Sequence, residues 1–224
     1  MNIPLFNILK KMNILKCTKY KKSLAHPLDD AIQPDQEKEP EPSRMDLINM
    51  VNYDEYKDIE FVDNGKPILL IMDDMQLSKR IYEAEFTKIK NNYNKDVREE
   101  FNIVWALGVN TGYETIKFIK KHKVDYAILD ITLGSPIKLS NGDYIEIDGI
   151  DVSACFKKYC PDGKFIFSTA HTLNFESPTT SYYRTKMIEL TGVDLLKSEE
   201  YLSFKNSNQL DDIYRLLYGE NNAR

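Results

Sequence analysis

A chain of 224 residues with a net charge of −5 at pH 7 can hold one large domain, or a smaller domain and an extension. The acidic balance argues against nonspecific nucleic-acid binding by the body of the protein. Its three cysteines form no CxxC pair, which argues against a disulfide framework or a zinc site. No apolar stretch reaches the roughly 20 residues of a membrane span and no signal-peptide cleavage site follows the start, so we expect a cytoplasmic protein.

The first 60 residues differ in composition from the rest of the chain. Residues 1–22 contain six lysines and no acidic residue, so they form either a basic amphipathic helix on a membrane surface or a partner, or a mobile tail. Residues 27–44 carry four prolines and six acidic residues, too little apolar surface to offset ordering entropy, which predicts a linker. We therefore expect residues 1–60 to be largely disordered and residues 61–224 to form the folded domain.

Strand and helix signals alternate five times after Lys66. Apolar runs predict strands at residues 67–72, 101–108, 125–131, 164–170 and 193–198. Apolar residues at helical spacing follow each run, and Thr111 and Glu114 have the spacing of a capping box. Apolar strands buried on both faces form parallel sheets with right-handed crossovers. The sequence therefore predicts an α/β protein with a doubly wound five-stranded parallel sheet, the (βα)5 flavodoxin-like arrangement.

Polar residues stand at the ends of four of the predicted strands. They are Asp73 and Asp74 after the first strand, Asp130 after the third, Ser168 and Thr169 at the fourth, and Lys197 at the fifth. In a doubly wound sheet the functional crevice lies at the carboxyl ends of the strands. Converging carboxylates repel unless a cation joins them, and oxygen ligands in a shallow, wet site suit Mg²⁺. The three aspartates are therefore predicted to bind a divalent ion.

Each of these residues also has a simpler interpretation when it is taken alone. Asp73 and Asp74 can serve as a helix cap and a first-turn acid. Asp130 is a common type of strand-end residue, Thr169 can be structural and Lys197 can be a surface lysine. The joint pattern, with each residue at a predicted strand end, favours a common site.

Five motifs in order carry a resemblance to a known family. They are "LLIMDDMQLSKRI", "VDYAILDITL", "DGIDV", "FIFSTAHT" and "GVDLLKS", and they make residues 66–218 resemble the receiver domain of two-component response regulators. The resemblance implies that Asp130 is the phosphoacceptor, whose carboxylate takes a phosphoryl group from a phosphohistidine or a small phosphodonor. It also implies that Lys197 pairs with this aspartate and that Thr169 hydrogen-bonds a phosphoryl oxygen.

The same resemblance implies a cofactor and a set of partners. Mg²⁺ would be bound directly by Asp74 and Asp130, mainly through water by Asp73, and by the main-chain carbonyl of Thr132. The partners would be a sensor histidine kinase or phosphotransfer protein and an unidentified target protein, without nucleic acid, and homodimers are common in the family. Residues 1–22 would be free to contact a membrane surface or a partner. Since only "GENNAR" follows the last helix, we expect output through protein–protein contacts and no enzymatic activity beyond self-catalysed phosphoryl acceptance.

The sequence departs from the family pattern at several points. The family has its Asp-Gly pair much closer to the phosphoacceptor, whereas nineteen positions separate Asp130 from Gly149 here. In the extra stretch, residues 134–147, Asn141-Gly142 lies between two alternating segments and predicts a β-hairpin. This hairpin is either a flap that restricts donor access, prolongs the acyl phosphate or docks a partner, or a tolerated surface insertion.

The remaining departures define two alternatives to a working receiver. Ser198 follows Lys197 where the family has proline, and Asp194 stands where an aromatic residue is common, which supports a degenerate receiver that binds proteins without phosphorylation. A phosphatase of the haloacid dehalogenase type also uses an aspartyl nucleophile. That family requires a second aspartate where Thr132 stands, and its nucleophile ends the first strand rather than the third.

Overall fold

The computed structural model describes residues 42–133, 136–138, 144–169, 178–194, 202–205 and 209–219. They belong to a compact unit that spans residues 41–224. The predictions for the basic segment at 1–22, and for most of the acidic linker, lie outside the described residues.

Helices and strands alternate along the described part of the chain. The helices are α1 (Arg44–Asn49), α2 (Ser78–Tyr93), α3 (Val97–Glu100), α4 (Thr111–Lys121), α5 (Gly149–Tyr159), α6 (Pro178–Thr191) and α7 (Gln209–Tyr218), with a 3₁₀ turn at Tyr53–Glu55. The strands are β1 (Ile68–Asp73), β2 (Asn102–Leu107), β3 (Tyr126–Leu129), β4 (Pro136–Lys138), β5 (Tyr144–Glu146), β6 (Lys164–Thr169) and β7 (Leu202–Phe204).

Five of these strands form one parallel sheet in the order β2-β1-β3-β6-β7. This is the order of doubly wound flavodoxin-like folds. The central strand β3 pairs with β1 on one side and β6 on the other, with Leu129 opposite both Met72 and Phe167. The predicted fold class is therefore confirmed, and β1 and β3 end side by side at the same edge of the sheet.

Apolar side chains are buried on both faces of the sheet, as expected for parallel strands. On one face, β1 and β3 pack against α2 and α7, through residues such as Phe86 and Ile213. On the other face the core lies under α4, α5 and α6, and it includes Ile116, Phe156 and Met187. This two-sided burial explains why the strands appear as continuous apolar runs in the sequence.

The predicted hairpin after the third strand is confirmed. Strands β4 and β5 pair in antiparallel fashion, with Ile137 opposite Ile145, while the predicted turn at Asn141-Gly142 lies outside the described residues. At the base, the Gly149 N–H donates to the Ile131 carbonyl oxygen at 2.9 Å. The insertion therefore leaves and re-enters the domain at nearly the same point.

Two local predictions are corrected by the structure. The strand that pairs with β6 is β7 at Leu202–Phe204, not the predicted run at 193–198, of which residues 193 and 194 are described and form no strand. The predicted helix start at Thr111 is confirmed, but Thr111 is not the N-cap that a capping box with Glu114 requires. Asn110 is the N-cap of α4, and the Thr111 hydroxyl instead donates to the Ala106 carbonyl oxygen at the end of β2.

Residues 42–61, here called the docked segment, pack onto α4. Ile48 and Val51 are buried in the core that lies between the sheet and helices α4, α5 and α6. Tyr56 stacks on Tyr113 with ring centroids 4.8 Å apart, and Phe61 meets Phe118 edge to face. The predicted domain boundary at residue 61 is therefore corrected, because residues 42–60 contribute buried apolar surface to the folded unit.

A buried network of charges joins the docked segment to α5 and α6. Arg44 binds both carboxylate oxygens of Asp151 at 3.0 and 2.7 Å and also donates to the Glu146 carbonyl oxygen at the end of β5. Lys186 on α6 donates to Asp148 at 2.6 Å and to Asp151 at 2.8 Å. Two cations thus balance two carboxylates, as buried charges require. The network fixes the start of α5 next to the hairpin base.

Candidate functional site

Asp73 and Asp130 lie side by side at the carboxyl edge of the sheet because their strands are paired neighbours. Met72 is opposite Leu129 in the register of β1 and β3, so the next residue on each strand is an aspartate. The Asp130 N–H donates to the Met72 carbonyl oxygen at 2.9 Å, which continues the ladder to the end of the strands. Asp73 is fully buried and Asp130 is 7% exposed. Two carboxylates are therefore held together in a largely water-excluded position.

The ammonium group of Lys205 bridges the two carboxylates. Its Nζ donates to Oδ2 of Asp73 at 2.6 Å and to Oδ2 of Asp130 at 2.7 Å. Lys205 directly follows β7, and its N–H donates to the Thr169 carbonyl oxygen at 3.0 Å. The lysine that follows the edge strand β7 thus binds the aspartates at the ends of β1 and β3. Short charge-assisted hydrogen bonds of this kind are strong.

Asp74 adds a third, partly exposed carboxylate at the mouth of the site. Oxygens of Asp73, Asp74 and Asp130 all lie within 4.8 Å of one another, close to the separation of about 4 Å between opposite ligands of Mg²⁺. With Lys205 included, three negative charges face one positive charge. Hard oxygen donors, an excess of negative charge and access to solvent fit a divalent cation that keeps some of its waters.

The pKa values of the charged groups reflect this crowding. Burial raises the pKa of Asp130, and the attraction of Lys205 offsets the rise only in part. Burial and the nearby charge of Asp73 also raise the pKa of Asp74. Burial alone would lower the pKa of Lys205, but its attraction to Asp130 and its hydrogen bonds raise it. A second cation at the carboxylates would relieve the remaining repulsion.

The other predicted site residues are placed as follows. Thr132 is exposed two positions after Asp130, and its N–H points to Oδ1 of that aspartate at 3.4 Å. Thr169 is buried at the end of β6. Lys197 lies outside the described residues, so its predicted role stays a prediction.

Sequence reasoning missed Lys205, although a signal for it exists. The segment "LSFK" alternates apolar and polar residues and ends in a lysine, a few residues before the last helix. The strand has only three residues at the edge of the sheet. The apolar run in "VDLLKS" is longer, so the sequence predicts it as the fifth strand and Lys197 as the lysine of the site.

Comparison with family models and with curated proteins finds no match. No family model matches the chain, and no curated protein is significantly similar to it. None of the helices in the described part of the chain has the length and apolar character of a membrane-spanning helix.

Comparison with solved structures finds similar folds. The chain is similar to response regulator receiver domains. One is the receiver domain of a modulated diguanylate cyclase from Desulfovibrio desulfuricans G20, with a TM-score of 0.43, 16% identity, and coverage of 68% of this chain and 91% of that chain. Another is a CheY-like receiver domain from Methanospirillum hungatei JF-1, with a TM-score of 0.41, 17% identity, and coverage of 67% and 90%.

A third similar structure is a response regulator from Burkholderia pseudomallei, which holds a phosphorylated aspartic acid, a calcium ion and citrate. Its TM-score is 0.40, its identity is 16%, and the coverage is 69% of this chain and 68% of that chain. At these identities the similarity concerns the fold alone. What the site can do chemically has to follow from the side chains of this chain.

Proposed function

We propose that this chain is a receiver domain that accepts a phosphoryl group on Asp130 in a Mg²⁺-dependent reaction. The observation that carries the proposal is the position of Lys205, whose Nζ lies 2.6 and 2.7 Å from the buried carboxylates of Asp73 and Asp130. A third carboxylate, Asp74, lies at the same edge. Phosphoryl transfer to a carboxylate needs a positioned nucleophile and cations at the phosphoryl oxygens, and this arrangement supplies both.

The proposed step transfers one phosphoryl group from donor to protein. An oxygen of Asp130 attacks phosphorus, and the bond between phosphorus and the donor's leaving atom breaks as the acyl phosphate forms. The leaving group, acetate in the case of acetyl phosphate, departs with the electron pair of that bond. Because its pKa is raised, Lys205 remains protonated and can donate to a phosphoryl oxygen. Lys205 thus takes the role that the sequence predicted for Lys197.

The three aspartates and the main-chain carbonyl of Thr132 would hold the metal ion. Bound Mg²⁺ would neutralise charge on the phosphoryl oxygens as they approach the carboxylates. We propose a kinase or phosphotransfer protein as the natural donor, output through protein–protein contacts, and no catalytic turnover of other substrates.

The test is phosphoryl acceptance by the full chain. The protein is incubated with acetyl phosphate and MgCl₂, and its intact mass is recorded beside those of Asp130→Asn and of Asp162→Asn. Asp162 is an exposed aspartate outside the site, so its variant is the matched control. We expect one phosphoryl group on the wild type and on Asp162→Asn, none on Asp130→Asn, and none without Mg²⁺.

Three other outcomes would replace the proposal. Acceptance at full stoichiometry by Asp130→Asn would mean that another residue is the acceptor. No acceptance by the wild type, together with no Mg²⁺ binding, would favour a degenerate receiver that binds proteins without phosphorylation. Repeated hydrolysis of an aryl phosphate would instead indicate a phosphatase, because a receiver accepts one group and releases it slowly.

A further inference from the structure

The chain around Lys205 is tied to β6 at two points. The Lys205 N–H donates to the carbonyl oxygen of Thr169 at 3.0 Å. Four residues further on, Nε2 of Gln209 donates to Oγ of Ser168 at 3.0 Å. Ser168 and Thr169 are the last two residues of β6. The start of α7 and the backbone of Lys205 are therefore fixed to the same strand end.

The bond between Ser168 and Gln209 lies on the same face of the sheet as the acidic site. Ile128 and Ile166 are opposite each other in β3 and β6, and both pack in the core under α2 and α7. Because side chains alternate along a strand, Asp130 and Ser168, two residues further on, project to this same face. Gln209 therefore fixes the start of α7 on the same face and at the same end of the sheet as the carboxylates that Lys205 binds.

Gln209 is a costly choice of residue for this position. It is 4% exposed and Ser168 is fully buried. Its Oε1 has no hydrogen-bond partner among the described residues. Burying an amide with one unpaired polar atom is unfavourable, and the bond from Nε2 to the buried Oγ of Ser168 offsets only part of this cost. The amide is therefore better explained by the geometry that it imposes than by the stability that it adds.

We propose that Gln209 is a positioning residue for Lys205. Its hydrogen bond to Ser168 holds the start of α7 where the ammonium of Lys205 reaches both Asp73 and Asp130. Without that bond, Lys205 spends more time away from the carboxylates, although the composition of the site is unchanged. The consequence for phosphoryl transfer rests on the proposed function, but the position of Lys205 can be measured without it.

The measurement is the rate at which an amine-acetylating reagent modifies Lys205 in the full chain, followed by peptide mass spectrometry. In the wild type, a protonated lysine paired with two carboxylates reacts slowly. In Gln209→Met we expect Lys205 to react about fivefold faster, the effect of one lost hydrogen bond on a local opening equilibrium. The melting temperature should change little, because methionine removes the unpaired Oε1 of Gln209 while the buried Oγ of Ser168 loses its amide donor.

Two controls separate positioning from general loosening. Gln76→Met is the control variant, because Gln76 also donates its amide at this end of the sheet, to the Leu107 carbonyl oxygen at 2.9 Å, but Leu107 ends β2, which lies at the opposite edge of the sheet from β7. It should leave the reactivity of Lys205 unchanged. Lys186 is an internal reference, since it is also buried and paired with two aspartates, and its modification reports opening of the whole domain.

A second variant removes the other partner of the bond. Ser168→Ala should raise the reactivity of Lys205 as Gln209→Met does, and the double variant should show no further increase. An unchanged rate at Lys205 in both single variants would overturn the proposal. So would an equal rise at Lys186 with a lower melting temperature, because Gln209 would then be purely structural.

Phosphorylation kinetics provide the functional readout. With acetyl phosphate and saturating MgCl₂, Gln209→Met should still take one phosphoryl group, about fivefold more slowly than the wild type. If the wild type accepts no phosphoryl group, the proposed function fails while the labelling of Lys205 still decides the positioning role. Slow labelling of Lys205 in every variant, with normal phosphorylation, would overturn the positioning role alone.

Discussion

Gly149 packs against the main chain of Asp130 so closely that a β-carbon on Gly149 would lie 2.0 Å from the Asp130 carbonyl oxygen. Gly149 is the first residue of α5. No larger side chain fits there unless the backbone at the end of β3 moves. The position of α5 is therefore coupled directly to the position of the carboxylate that we propose as phosphoacceptor.

Replacement of this glycine should affect both folding and the site. Gly149→Ala should lower the free energy of unfolding by about 1–3 kcal/mol, as overpacking does, and slow phosphoryl acceptance because Asp130 is displaced. Urea unfolding and intact-mass kinetics measure the two effects.

Gly192→Ala is the control, since Gly192 has a φ of +73° after α6 with no heavy atom near the added carbon. It should cost about 1–2 kcal/mol and accept phosphate normally. Equal acceptance rates in both variants would refute the coupling.

The bridging lysine can be distinguished from the lysine predicted by sequence. Lys205→Met leaves three carboxylates without their cation, so MgCl₂ should raise its melting temperature more than that of the wild type. Phosphoryl acceptance should fall about a hundredfold, the usual effect of removing one donor to a developing charge. Lys197→Met should resemble the wild type in both assays. The reverse pattern, with a defect in Lys197→Met alone, would return the role to Lys197.

The docked segment should contribute to the stability of the whole domain. Ile48 is fully buried, whereas Met50, two residues away, is 56% exposed. Ile48→Ala should lower the free energy of unfolding by about 2–5 kcal/mol, and Met50→Ala should change it by no more than about 0.5 kcal/mol. Urea titrations followed by circular dichroism provide both values. Similar small effects from the two substitutions would mean that the segment does not unfold with the domain.

The buried thiols should be unreactive in the native protein. Burial raises the pKa of Cys155 to about 12 and also raises the pKa of Cys160. Only the thiolate reacts with disulfide reagents, so in a Cys17→Ser background neither thiol should react at pH 8 until the chain unfolds. The folded state binds the thiol protons more tightly than the unfolded chain does, so these residues should also reduce stability as the pH rises above about 8.5.

Counting the thiols that react before and after addition of denaturant checks this prediction. Rapid reaction of Cys155 in the native state would mean that the helix α5 opens readily from the sheet.

The sheet could be predicted from sequence because β1, β3 and β6 are buried on both faces and β2 is partly buried. Their apolar runs are long enough to be distinguished from loops. The three aspartates could be identified because they lie at the ends of predicted strands. Chain order then brings Asp73 and Asp130 together, since β1 and β3 are neighbours in every doubly wound sheet of this order. These predictions rest on periodicity and topology, which one sequence displays directly.

The edge strand and the docked segment could not be predicted in the same way. Strand β7 has three residues, and its central residue is the buried Ser203, so it offers no apolar run. The docked segment buries Ile48, Val51 and parts of several aromatic rings at irregular spacing, through a six-residue helix and a 3₁₀ turn. Neither element has a period that distinguishes it from a loop, and only tertiary contacts define them.

The hairpin insertion illustrates how extra chain can be accommodated beside a reactive centre. Its two ends meet at the hydrogen bond between Gly149 and Ile131. The length of the insertion therefore does not change the position of the strand that precedes Asp130. The entropy of closing a loop grows only with the logarithm of its length, about 0.6 kcal/mol for each doubling. Burial of Leu133, Ile145 and Ile147 offsets more than that amount. The domain therefore tolerates the insertion at almost no thermodynamic cost, so the residues between these buried anchors can vary in sequence while the acidic centre stays in place.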